Sequence, residues 1–182
     1  MLNMIKNEKL LISTEDNFYI KQLTKNDVSE NYINWLNDYD VVKYTEQRHL
    51  KHSYNSVCDF VEKKLVSEDS LLFGIFFSKI HIGNIKLGPI SFANKRSEIS
   101  YFIGDKKFWG RGIITKTITF LSQIARDRLD LVKLLAGTYE CNLASINVLK
   151  KNGFKLEGRI TKSVYFEKKR IDNLIFGKIL KY

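Results

Sequence analysis

Leu71 to Phe77, written LLFGIFF, is the longest apolar run in the chain. It is far too short to cross a bilayer. No polar residue alternates with the apolar ones, so neither face of the segment suits water. A strand of this kind needs cover on both sides, which places it in the interior of a sheet with other elements packed above and below. The run restricts the chain to a layered architecture before any other motif is read.

The neighbouring segments fit that restriction. Ile80–Ile90 and Glu98–Ile103 read as two more strands, with Ser78-Lys79 and Asn94-Lys95-Arg96 as turns. Upstream, Leu10 to Leu23 reads as strand pieces around the turn residues Glu15-Asp16-Asn17. Thr24 with Asp27 resembles a helix N-cap and its N3 acid, and Val28, Tyr32, Trp35, Leu36 and Tyr39 follow at helical spacing. A second helix is predicted from Ser53. Downstream, Ile114, Ile118, Leu121, Ala125 and Leu129 form a helix stripe of about four turns. Lys133–Tyr139 reads as a strand, and Ala144–Lys151 as a short helix stopped by Asn152-Gly153. Phe154–Glu157 and Leu174–Leu180 read as closing strands. The fold class expected is α/β, a mixed sheet flanked by about four helices, in a single domain over residues 1–182.

Charge and cysteine usage limit the function classes. Thirty basic residues against twenty acidic ones give +10, which favours an anionic ligand or partner. A soluble basic protein accounts for the same balance, and no charge run has the length of a nucleic-acid arm, so a nucleic-acid partner is not expected. The two cysteines, Cys58 and Cys141, lack metal-ligand or redox spacing and fit a reducing compartment. The first residues lack an apolar signal core. The expectation is a soluble, cytoplasmic protein with no membrane segment, as a monomer or homodimer. His49 and His52 have no third ligand nearby in sequence, so no metal is expected. His81 reads as structural.

The segment FWGRGIITK, Phe108 to Lys116, holds the clearest chemical signal. Its two glycines follow a strand and open a helix. Unpartnered N–H groups and the positive dipole end make a helix start suited to a phosphate or pyrophosphate, and glycine lets a ligand approach the backbone. Lys107 and Arg111 add charge. A tight strand-to-helix turn is the bland alternative. The dinucleotide fingerprint would need glycine at Thr115, and the P-loop its Gly-Lys-Ser/Thr; neither is present.

Lys107 to Ile113 resembles the acetyl-CoA pyrophosphate loop of the GNAT superfamily of N-acetyltransferases, with lysine at the first motif position where the family has Arg or Gln. Asn142 to Gly158, with Ser145, Lys151, Gly153, Phe154 and Glu157 at the motif positions, resembles the second motif of the RimJ/RimL-like branch. The match covers nearly the whole chain. It implies a GNAT-like domain whose strands Glu98–Ile103 and Lys133–Tyr139 splay apart, acetyl-CoA as co-substrate, and direct transfer of acetyl to an amine. The acceptor implied is a primary amine of a small molecule, a nucleotide-linked amino sugar among the candidates, or a protein N-terminus. The resemblance assigns cofactor contacts to Phe102, Ile103, Gly104, Lys107, Phe108, Trp109, Gly110, Arg111, Gly112, Ile113, Asn142 and Asn147. Asn142 is equally an N-cap. Glu98 is the candidate base and Ser145 the candidate acid for the leaving thiolate, with Tyr139 as second choice. Glu98 pairing with Arg96 or Lys95 on an edge, and Ser145 making a first-turn hydrogen bond, are the alternatives. The acceptor side would be built by Trp35–Asp38 and Tyr44–Arg48. A different class of reading is a non-catalytic GNAT-fold module that binds CoA or RNA.

Overall fold

A computed structural model describes residues 2–14 and 17–180. Eight strands form one mixed sheet in the order β1-β2-β3-β4-β5-β6-β8-β7. These are β1 (Lys9–Ser13), β2 (Phe18–Gln22), β3 (Leu71–Phe77), β4 (Ile80–Ser91), β5 (Arg96–Ile103), β6 (Lys133–Tyr139), β7 (Lys155–Phe166) and β8 (Lys169–Ile179). All neighbours are antiparallel except β5 and β6. The helices are α1 (Leu2–Lys6), α2 (Glu30–Asn37), α3 (Tyr39–Val42), α4 (Tyr54–Leu65), α5 (Ile113–Leu129) and α6 (Leu143–Lys151).

LLFGIFF is β3, third in the sheet, and its side chains divide between two cores. Leu71, Phe73 and Ile75 join the cluster that contains Ile113, Ile118, Leu121 and Ala125 of α5 and Leu149 of α6. Leu72 and Phe76 join the cluster that contains Tyr32 and Leu36 of α2 and Val57 and Val61 of α4. The strand alternation sends successive residues to opposite faces, and both faces are covered. Phe73 is fully buried, a burial that stabilises the fold by about 1.5–3 kcal/mol.

Local chemistry sets the helix ends. Ser53 accepts from the Ser56 N–H while Ser56 accepts from the Ser53 N–H, so the predicted start of α4 is a reciprocal cap. The Lys6 ammonium donates to the carbonyls of Leu65 (2.7 Å) and Ser67 (2.6 Å), closing the C-terminal end of α4 from the α1 side. Gly153, at φ 79°, ends α6 in the left-handed conformation expected of it.

Some boundaries differ from the sequence reading. Thr24 and Asp27 do form a capping box, but it closes a single 3-10 turn, Lys25–Asp27. The helix itself starts later, with Ser29 accepting from the Tyr32 N–H. α1 was not anticipated. The closing strands are much longer than expected, because β7 and β8 continue through residues 158–173 as a hairpin turning at Glu167-Lys168. Glu15 and Asp16 of the expected first turn lie outside the described residues; Asn17 has φ 46°.

Candidate active site

β5 and β6 pair over only three positions, Arg96 with Lys133, Ser97 with Leu134 and Glu98 with Leu135. Beyond Glu98, β5 stays on β4, as far as Ile103 opposite Gly83, while β6 stays on β8 as far as Tyr139 opposite Asn173. The two strands therefore splay, and a V opens at the centre of the sheet.

The chain leaves β5 through Gly104 and a 3-10 turn at Lys106–Phe108. The Trp109 indole N–H donates to the Ile103 carbonyl at 2.8 Å and folds the loop back on the strand. Gly110 and Gly112 have φ of 73° and 72°, a conformation that L side chains rarely take. A Cβ added to either would meet nothing within 4 Å, so the backbone in front of them is open. Gly112 is the N-cap of α5, with no side chain to cap it. Its first N–H groups are thus positioned for an anion at this end of the V.

A cavity of about 550 Å³ fills this region. It is edged by Tyr101, Phe102 and Ile103 of β5, the loop from Phe108 to Gly112, Ile113 to Thr115 of α5, and Asn142, Ser145 and Asn147 at the α6 start. Eleven of the fourteen sequence-assigned residues meet here: Phe102, Ile103, Phe108, Trp109, Gly110, Arg111, Gly112, Ile113, Asn142, Ser145 and Asn147. The other wall is Asp40, Val41, Lys43, Tyr44 and Thr45. Arg111 lies over the Phe108 ring, 5.2 Å from its centroid.

Three assigned residues are placed elsewhere. Gly104 gives its N–H to the Ile82 carbonyl at 2.9 Å, and the Trp35 indole lies against its Cα; it is glycine to admit that ring. Lys107 is exposed on the 3-10 turn and does not line the cavity. Glu98 is exposed at the closed end of the V. Phe102 lies four residue steps along the strand from it, about 13 Å at strand rise, beyond the reach of one hydrogen bond or one bridging water.

Sequence reasoning missed several partners. The Tyr101 hydroxyl meets the Ser145 hydroxyl at 2.9 Å, across the V. Burial pushes the Tyr101 phenol up to about 12, against the pull of the Ser145 hydrogen bond. Asn142 caps α6 by accepting the Ser145 N–H at 3.1 Å, and both residues also line the cavity. Tyr139 faces away from this pair. Its hydroxyl donates to Glu46 and accepts from Arg48, whose side chain is only 7% exposed and lies over the Tyr139 and Phe166 rings. Arg48 is therefore a buried support and not a solvent-facing anion ligand. Lys106 bridges Asp38 at 2.8 Å and Asp40 at 3.0 Å, and those hydrogen bonds raise its pKa. It ties the loop to the opposite wall. Lysine next to the glycine loop was the only signal for it.

A second cavity, of about 580 Å³, lies on the α2–α4 face of the sheet. Tyr101, Phe102 and Thr45 line both cavities, so the two meet there. Trp35 packs on Tyr32 and His81 and belongs to the core, not to this cavity. Among the described residues no group of three or more His, Cys, Asp or Glu side chains is placed to hold a metal. Among the same residues no helix is long and apolar enough to cross a membrane.

A model of the acetyltransferase (GNAT) domain matches residues 17–155. A probable N-acetyltransferase of Bacillus subtilis (strain 168), YjcK, is 27% identical over 155 residues, 80% of this chain and 84% of the relative. A RimL ribosomal L7/L12 alpha-N-protein acetyltransferase, solved with coenzyme A, matches with TM-score 0.86 at 19% identity, covering 95% of this chain and 98% of that one. A spermidine N-acetyltransferase from Vibrio cholerae, solved with CoA and spermine, matches with TM-score 0.80 at 17% identity, covering 90% and 95%. At such identities the structural likeness is one of fold.

Proposed function

The chain belongs to the GNAT acetyltransferase family and is an acetyl-CoA-dependent N-acetyltransferase; on that premise we propose that it passes acetyl directly to a primary amine held in the second cavity. The shared lining of the two cavities at Tyr101 and Phe102 carries this reading, because it sets a chamber for the donor beside a chamber for the acceptor. Of the acceptors the sequence suggests, an amine on a small molecule, such as a nucleotide-linked amino sugar, is of a size that a cavity of about 580 Å³ can hold.

The residues fit the co-substrate. Open backbone at Gly110 and Gly112 and the first N–H groups of α5 would take the pyrophosphate, with Arg111 and Lys151 adding charge at the edge. Asn147 would contact the cofactor from α6. Acetyl-CoA supplies the thioester carbonyl and a thiolate leaving group. The Tyr101–Ser145 hydroxyl pair, still protonated at neutral pH, would hand a proton to the departing sulfur through the Ser145 oxygen. Asp40 is the one carboxylate lining either cavity among the described residues, and Lys106 holds it ionised at the far wall. With no carboxylate among the described residues that line the second cavity, the acceptor ammonium would lose its proton to water or to His52, which lines that cavity. Glu98 is assigned no proton transfer.

Thermal unfolding with rising acetyl-CoA tests the cofactor half of this reading. At about 100-fold above Kd the ligand should add roughly 2.7 kcal/mol, a rise of several degrees. A missing rise refutes it. The acceptor half is tested by mass-spectrometric detection of acetylated amine across a primary-amine panel.

A further inference from the structure

The second cavity carries charge of one sign. Among the described residues its lining includes Lys51 and Lys86 and no carboxylate. Lys51 is exposed at the mouth, while Lys86 is part-buried on the cavity's sheet wall. It sits mid-strand on β4, opposite Leu72 of β3 and Ser100 of β5, all three in the lining. Among the described residues its ammonium takes part in no ion pair or hydrogen bond. Glu98 and Asp69 act on it only at longer range; burial and the charge of Lys64 outweigh them and lower its pKa. Sequestering an ammonium without a counter-charge is costly, and a stable site resolves that cost by pairing it.

Most of the remaining wall surface is apolar, with Gln47, His52, Ser56, Asn84 and Ser100 as polar members. Leu36, Val57, Leu72 and Phe102 line the interior, and two large side chains, Leu50 at 60% exposure and Phe60 at 41%, stand open to solvent at the same cavity. Apolar surface left uncovered beside an unpaired cation suits a ligand that is apolar in body and anionic at one end. A polycation would meet two like charges here and nothing of opposite sign.

We propose that the acceptor is an amine with an apolar body and an anionic group, a carboxylate or phosphate, which docks on Lys86 while the amine reaches the Tyr101–Phe102 junction. This rests on the reading of the second cavity as the acceptor chamber. Linear polyamines are not acceptors on this account.

Four benzylamines that differ only at the para position test it: carboxylate, phosphonate, carboxamide and aminomethyl. Acetyl transfer to each is measured as kcat/KM. One of the anionic pair should exceed the carboxamide by about tenfold or more, and the aminomethyl compound should be slowest. Which anion leads distinguishes the carboxylate from the phosphate source. Lys86→Met, close in volume, should bring the anionic and carboxamide rates together while preserving the thermal rise with acetyl-CoA. A carboxamide equal to both anions, or a faster diamine, overturns the proposal. If none of the four is acetylated, their thermal stabilisation of the CoA-saturated protein is compared. An anion that stabilises no more than the carboxamide overturns it too. Loss of the acetyl-CoA rise itself would instead count against the transferase reading.

Discussion

The hydroxyls of Tyr101 and Ser145 lie 2.9 Å apart, one on a central strand and the other on the first turn of α6. They bridge the place where β5 and β6 have separated, and both line the cavity that the glycine loop edges. If this pair delivers the proton to the leaving sulfur, Tyr101→Phe and Ser145→Ala should each lower kcat by about 10²-fold, the lower end of what a positioned acid contributes. The double variant should lose little more, since both act in one relay. Steady-state kinetics with the KM for acetyl-CoA unchanged would agree. A kcat within about threefold of the parent in Ser145→Ala rules the relay out.

Tyr139 should behave differently. Its hydroxyl is held between Glu46 and Arg48, which fixes the turn that carries Thr45. Tyr139→Phe should cost about 0.5–1.5 kcal/mol of stability by removing one hydrogen bond to the buried Arg48, since Glu46 is exposed and Arg48 keeps its bond to the Thr45 carbonyl, while kcat of the folded fraction stays near the parent value. Paired denaturation and initial-rate measurements separate these effects. A large fall in kcat without destabilisation would restore Tyr139 as the acid.

Glu98→Gln should leave kcat within about twofold, because no single hydrogen bond or water spans the 13 Å or so of strand from Glu98 to the junction. A rate loss beyond about tenfold, with acetyl-CoA binding intact, would return the base role to Glu98.

Gly112 has φ 72° at the N-cap of α5. Gly112→Val should destabilise by about 1–3 kcal/mol through backbone strain and abolish the thermal rise with acetyl-CoA. Gly112→Asn tolerates the left-handed region better and provides the control: it should fold near normally and still bind poorly, since a side chain now occupies the open approach. Calorimetric titration of the Asn variant reads binding apart from stability.

His81 sets a pH dependence. It is enclosed by the Tyr32, Trp35 and Phe76 rings, and its Nε2 lies 2.8 Å from Asn84 Oδ1 and 3.1 Å from the Gly83 carbonyl. Burial lowers its pKa below 6.5, outweighing those two hydrogen bonds. The unfolded chain therefore binds the proton more readily than the folded one, and stability is retained above about pH 6.5 and falls as pH drops below it. Denaturant midpoints at pH 7.5 and 5.5 should differ in the parent, and the difference should shrink in His81→Phe.

The two cores were legible in LLFGIFF because an uninterrupted apolar strand has few places to go. The glycine loop and the Asn142–Ser145 cap were legible because left-handed backbone and helix caps are local, and each leaves its residues close together in sequence. What joins them was not. Tyr101 finds Ser145 forty-four positions away, and Lys106 finds Asp38 and Asp40 across the cavity. Nothing in the spacing of hydroxyls or charges along the chain encodes which of them the topology brings face to face. Glu98's placement was hidden for a related reason: the family pattern fixes its strand, but only the register of β5 on β6 shows that it sits where the V is shut. The length of the last hairpin was obscured by its polar, exposed β7, whose pattern lacks the buried face that marks a strand.

The three-pair contact between β5 and β6 also has a mechanical meaning. Five strands lie on one side of that seam and three on the other. Load applied between β1 and β7, at the two outer edges, would concentrate on it, and the sheet should tear there first. A molecule lodged in the opening and gripping both banks would act as a rivet. Single-molecule pulling with and without acetyl-CoA would then register occupancy as a change in rupture force.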